Sequence, residues 1–179
     1  MIVMPIGDPL PVRRTAEIKP PAPKKTLVAI IGAIAAAGLY VSIPDDEGTR
    51  NKAYRDIVGV WTICTGDTKN VNPGQVASDV ECQDRLERQL IDHAEPVMAC
   101  TPTLKEEGRD YQRWAAVSLA YNIGTGASCR SSVARRFNAR NWRGGCNALL
   151  MWDKAGGRQI RGLTLRRQRE REICLKGLT

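Results

Sequence analysis

Eighteen consecutive residues, Thr26 to Ile43, carry no charge in a chain of 179 residues of which 26% are charged. Such a run has to leave water, and it can do so into lipid or into a protein core. As a helix it reaches about 27 Å at roughly 1.5 Å per residue, slightly short of a hydrocarbon core of about 30 Å. Lys24-Lys25 precede it and Pro44-Asp45-Asp46-Glu47 follow it, an asymmetry that favours an inserted segment with its N-terminus in the cytoplasm. Five alanines and two glycines stand beside its four isoleucines, so the run is weakly hydrophobic and spans only marginally. A buried core helix is the bland alternative, and a cleaved signal peptide a third, although no Ala-x-Ala site closes the run near Pro44.

Charge and proline divide the rest of the chain. The net charge of +8 is distributed as +3 over residues 1–25, zero over 26–43, zero over 44–157 and +5 over 158–179. A middle region that balances argues against a specific nucleic-acid partner, for which a basic stripe would cross the fold. Residues 1–25 hold six prolines and no apolar period, the mark of an extended, disordered arm. The expected organisation is a basic cytoplasmic arm over 1–25, a membrane segment over 26–43 and one folded domain over 44–179.

Within that domain the pattern is mixed, mainly helical α+β. The β-branched and aromatic residues of Arg55 to Thr65, with Gly59 among them, predict a short hairpin. Ser78-x-x-Glu81 and Thr103-x-x-Glu106 are capping-box patterns and predict helices over 79–98 and 104–123. In the second, Trp114, Val117, Ala120 and Tyr121 share a face, and Gly124 ends it. Further helices are predicted near 131–139, 143–154 and 164–176, the last two stopped by Gly156-Gly157 and Gly177.

Glu47, Asp56 and Thr62 form the triple with chemical content. Glycoside hydrolysis needs one carboxylic acid to protonate the leaving oxygen and a second carboxylate across the bond, set back far enough in inverting enzymes to admit a water. Glu47 ends an apolar segment and Asp56 lies in a polar turn, an asymmetry suited to one protonated and one ionised group. Thr62 offers a hydroxyl to hold the water. By spacing alone such a triple is also what surface residues supply, and the surrounding text makes the difference.

The stretch Glu47-Gly48-x-Arg50-x-Lys52-x-Tyr54-Arg55-Asp56-x-x-Gly59-Val60-x-Thr62-Ile63-x-x-Gly66 resembles the active-site segment of the phage lysozymes of glycoside hydrolase family 24. The resemblance continues through Ala120-Tyr121-Asn122-x-Gly124 and Gly162-Leu163-x-x-Arg166-Arg167-x-x-Glu170-Arg171, covering about 46–177 in the family's order. With the weak first segment, the chain looks like the signal-anchor-release endolysins of lambdoid phages. The resemblance implies a lysozyme-like fold with a small sheet at the active site. It implies Glu47 as general acid, Asp56 as base or electrostatic partner, Thr62 as the residue orienting water, Asn122 as a polar residue of the substrate groove and Arg166 as a brace for Glu47. Many relatives read Gly-His where this chain has Gly66-Asp67, so the role of that histidine is absent or replaced.

His93, the only histidine, falls in the first long helix and reads as a packing residue. Cys64, Cys82, Cys100, Cys129, Cys146 and Cys174 include no Cys-x-x-Cys pair and no histidine partners, so no metal site is expected; an exported domain would oxidise all six, in one of fifteen pairings. Arg158, Arg161, Arg166, Arg167, Arg169 and Arg171 read partly as a solvated helix face, and more sharply as a contact for anionic envelope polymers.

The expected function is therefore an endolysin: a monomeric, cofactor-free muramidase that cleaves the β-1,4 bond between N-acetylmuramic acid and N-acetylglucosamine in peptidoglycan and lyses the host. It would sit first in the host inner membrane through 26–43 and then be released to the periplasm. A membrane-anchored cationic binding or disrupting protein is the alternative from another class. A lytic transglycosylase, which uses the acid without hydrolytic water, is a third.

Overall fold

Helices dominate the computed structural model, which describes residues 25–56 and 58–178; the arm expected over 1–25 lies outside these except for Lys25. Ser78 starts the longest of them by the predicted device. Its hydroxyl accepts from the Glu81 N–H at 3.2 Å while the Glu81 carboxylate accepts from the Ser78 N–H at 2.7 Å, and α3 runs Asp79–Cys100. The second capping pattern fails. Thr103 donates its hydroxyl to the Phe137 carbonyl at 3.0 Å, Pro102–Lys105 make only a 3-10 turn, and α4 begins later, at Asp110–Ile123. A hydroxyl residue three before a Glu caps a helix only when its hydroxyl is not claimed by a distant carbonyl.

α4 is the centre of the molecule. Gln112 and Ala115 to Ala120 are all buried, so the face predicted from Trp114, Val117, Ala120 and Tyr121 is part of a helix covered on nearly every side. Around it pack α3, α5 (Thr125–Arg130), α7 (Trp142–Ala148) and α8 (Arg161–Leu175), while α6 (Ser132–Asn138) packs on α7. α7 stops short of the predicted end at 154. Gly156-Gly157 are not its terminator; they form the turn between the two-residue strands β3 (Lys154–Ala155) and β4 (Arg158–Gln159).

The uncharged segment folds into this core. α1 (Leu27–Ile31) and α2 (Ala33–Glu47) are separated at Gly32, whose φ of +87° no side chain adopts readily. Leu27, Ile31, Ala35, Ala36, Leu39 and Ile43 are at most 1% exposed and share one cluster with Leu90, Ala94, Val117 and Leu119. Here the buried-helix packing is realised, and among the described residues no helix is long and apolar enough to cross a membrane.

The small sheet lies directly after α2. β1 (Arg50–Arg55) pairs antiparallel with β2 (Trp61–Cys64), Tyr54 opposite Thr62, so the hairpin begins earlier than predicted. All six cysteines are bridged, as Cys64–Cys82, Cys100–Cys129 and Cys146–Cys174. The first ties the sheet to α3 and the third ties α7 to α8.

Candidate active site

Glu47 is the last residue of α2, and Gly48 turns the chain away at φ +74° into β1. Its side chain is 30% exposed and accepts a hydrogen bond from Arg166 Nη1 at 2.5 Å. The carboxyl therefore meets a guanidinium, not the apolar surroundings its place after an uncharged segment suggested. Arg166 comes from α8, 119 residues away in the chain.

Arg166 serves three carboxylates. Besides Glu47, its Nε lies 3.1 Å from Asp46 and 3.2 Å from Glu170. Arg167 donates to Glu170 at 2.8 Å, Ser118 donates to Glu170 at 2.7 Å, and Arg169 bonds Asp46. Three acids thus face three arginines where α2, α4 and α8 meet. Burial works against the charge of Arg166, yet the Glu47 hydrogen bond and the charges of Glu170, Glu47 and Asp46 outweigh it and raise its pKa. Burial raises Glu170 and lowers Arg167, each opposed by the other's charge. Such a network is costly to break from one side, because the remaining charges stay buried. Arg166 and Arg167 are accordingly not part of a solvated face, a correction to the sequence reading; with an i, i+3, i+4 pattern running Arg-Arg-x-x-Glu, an inward salt-bridged face was the signal to weigh.

Asp56 follows β1 and is half-buried. Its Oδ1 accepts from the N–H groups of Val58 at 3.0 Å and Val60 at 2.8 Å, an Asx-type turn that closes the hairpin and leaves Oδ2 without a partner in the turn. Thr62, on β2, is 3% exposed and donates its hydroxyl to the Val60 carbonyl at 3.1 Å. With the proton so used, the oxygen faces any further partner as an acceptor.

Asn122 lies half-buried in the last turn of α4, beside Tyr121, which ties that turn to the sheet. The Tyr121 hydroxyl donates within 2.7 Å of the Thr65 carbonyl and lies 2.9 Å from Gln89 Oε1. Burial pushes its phenol well above the ordinary tyrosine value, and the negative charges of Glu47 and Asp67 push the same way. Asp67 itself, in the place after Gly66, is 4% exposed and bonds Arg85 at 2.7 Å, so a largely buried ion pair occupies the position. His93 is half-buried and packs on Tyr121 with ring centroids 5.0 Å apart. Among the described residues no group of acidic, histidine and cysteine side chains is arranged to hold a metal. Asp46, Ser118 and Glu170, which share the Arg166 network, and Tyr121 were not expected as site residues from the sequence, although Tyr121 and Glu170 lie within the motifs that carry the resemblance.

Known proteins resemble this chain over most of its length. The chain is 38% identical over 165 residues to the SAR-endolysin of Enterobacteria phage P21, covering 88% of this chain and 98% of that one. It is 37% identical over 164 residues to the SAR-endolysin of Bacteriophage PS119, at 88% and 96% coverage. Among solved structures, a P22 lysozyme mutant superposes with a TM-score of 0.66 at 32% identity, over 79% of this chain and 97% of that chain. The Phage lysozyme family model matches residues 45–170, a span that begins two residues before Glu47 and ends on Glu170, and the chain belongs to the phage lysozyme family.

Proposed function

We propose that this protein is an endolysin of the signal-anchor-release kind, a muramidase that hydrolyses the β-1,4 bond between N-acetylmuramic acid and N-acetylglucosamine in peptidoglycan and so lyses the host. The observation that carries the reading is Glu47 at the end of α2, gripped by Arg166 and followed at once by the hairpin that carries Asp56 in its turn and Thr62 on β2. Glu47 gives its proton to the glycosidic oxygen as the bond to C1 breaks. Asp56, through the oxygen its turn does not use, stabilises the charge at C1 and takes the proton of the attacking water. Thr62 accepts a hydrogen bond from that water, its own proton being held by the Val60 carbonyl. Asn122 lines the groove for the glycan.

The same reading extends to the uncharged segment. While Thr26–Ile43 spans the host inner membrane, the core lacks Leu27, Ile31, Ala35, Ala36, Leu39 and Ile43, and Glu47 is kept at headgroup depth, away from Arg166. Release into the periplasm brings both together in a monomer. Weak hydrophobicity supports release, since Ala and Gly contribute little to insertion.

Lysis of outer-membrane-stripped cells by the parent and by Glu47→Gln tests the assignment. We expect a loss of about 100- to 10,000-fold; turnover above half the parent's on purified peptidoglycan sinks it. Product ends with a 1,6-anhydro ring would convert the reaction to a transglycosylase.

A further inference from the structure

We propose that the β3–β4 hairpin is a cationic rest for the acidic stem peptides of peptidoglycan, an inference that rests on the muralytic reading above. Residues 154–162 are exposed without interruption. A hairpin this short and this exposed does not hold itself together in water. What holds it is Asp153, 8% exposed, whose carboxylate accepts from Gln159 Nε2 at 2.6 Å and Thr164 Oγ1 at 3.3 Å, and whose carbonyl accepts from the Ile160 N–H at 2.9 Å. The fold thus fixes a structure that buries almost nothing, which directs attention to what the structure presents outward.

It presents Lys154, Arg158 and Arg161. Among the described residues none of the three is in an ion pair. From Asp153 to Arg169 the only acid is Asp153, already committed to the hairpin's own hydrogen bonds. Elsewhere the arginines of this region are neutralised within the fold, as Arg166, Arg167 and Arg169 show. The three free cations are therefore a local excess at a fixed place.

Along α8 that place lies less than two turns from Arg166. Arg161 opens α8, and five residues, about 7.5 Å of helical rise, separate it from Arg166, which holds Glu47. The stem peptide leaves the glycan from O3 of the muramic acid whose C1 is attacked. Two or three extended residues cover about 7–11 Å, a reach comparable with the rise along α8 from Arg166 to Arg161. A negative, flexible chain meeting a rigid set of cations gains affinity and approach rate without a shaped pocket.

The test compares the full chain with K154Q/R158Q/R161Q, which leaves Asp153, Gln159 and Thr164 to hold the hairpin. Activity is measured on intact sacculi and on sacculi stripped of stems by an amidase. We expect the ratio of kcat/KM on intact to stripped substrate to fall about tenfold, mostly through KM, as exposed charge pairs allow. The parent's preference for intact sacculi should weaken as salt rises from about 50 to about 300 mM. NMR titration of the parent with a free tetrapeptide stem should shift the amides of 154–161. An equal fall on both substrates, no fall, or no amide shift overturns the proposal. So does a variant that keeps its sacculus preference but no longer sediments with phosphatidylglycerol vesicles, which would assign the hairpin to a membrane surface. A parent that cleaves neither substrate overturns the muralytic reading, and this one with it.

Discussion

Gly38 lies against the indole of Trp114 so closely that a Cβ on it would stand 2.4 Å from the ring. The same indole donates from Nε1 to Ser42 Oγ at 3.1 Å, one turn further along α2. The contact gives this glycine two consequences: it weakens the hydrophobicity of the uncharged segment, and it lets α2 seat on α4. Gly38→Ala separates them, since one methyl barely alters insertion. We expect it to destabilise the folded enzyme by about 1–3 kcal/mol through overpacking, seen as a lower unfolding temperature and delayed lysis. An unchanged unfolding temperature would show that α2 does not seat as described. Gly32→Leu with Gly38→Leu goes further and should leave the protein in the membrane pellet and non-lytic; finding it soluble in the periplasm, or lytic from the pellet, speaks against a releasable anchor.

Asp56→Asn is predicted to keep the hairpin and lose the reaction. The amide oxygen still accepts from Val58 and Val60, so circular dichroism should be unchanged, whereas loss of the charge should lower turnover by about 100- to 10,000-fold. Retention of more than half of the activity would remove Asp56 from the mechanism.

The ion pair of Asp67 with Arg85 is largely withdrawn from water, with side chains 5% and 13% exposed. Arg85→Met should cost about 3–5 kcal/mol by stranding the carboxylate. Adding Asp67→Asn should return a large part of that loss. Equal stability of the single and double variants in denaturant titrations would mean that the pair is not energetically coupled.

Alkaline stability should depend on Tyr121. Its folded pKa is raised, so the native state keeps a proton that the unfolded chain gives up near the ordinary tyrosine value of about 10. The associated stability is present below that pH and is lost as pH rises beyond it. Absorbance titration should find Tyr121 un-ionised until the protein unfolds, and Tyr121→Phe should abolish this late step. An ordinary titration of all four tyrosines in the folded protein would contradict the half-buried, hydrogen-bonded placement of Tyr121.

Enzyme recovered from the periplasm should contain no free thiols, each bridge adding about 2–4 kcal/mol. Cys146 and Cys174 are fully buried, while Cys100 and Cys129 are half-buried. Limited reduction followed by alkylation should therefore label Cys100 and Cys129 first. Six free thiols in an active sample would refute the oxidised form.

Much of this molecule is legible along the chain because its causes are local. Ser78 and Glu81 cap α3 with groups three residues apart; Asp56 closes its own turn within four residues; the Glu47, Asp56, Thr62 spacing follows from one helix end and one hairpin. Thr103 shows the limit, since an identical pattern was overruled by a carbonyl 34 residues away. β3 and β4 escaped notice because their strands are two residues each and their support, Asp153, bonds a threonine on the next helix.

By itself the sequence determined the family, the helices that cap themselves, the sheet turn and the candidate catalytic triple. Only the tertiary structure decided that Arg166 meets Glu47, that Arg167 turns inward, which cysteines pair, and that Leu27 to Ile43 fill a core. These are relations between residues brought together by packing, in the case of Glu47 and Arg166 across 119 positions. An uncharged run satisfies lipid and protein interior alike, because both remove its surface from water. Shape made the choice in this fold: Gly32 bends the segment and Gly38 admits Trp114, and a packed core can use such details where fluid hydrocarbon cannot.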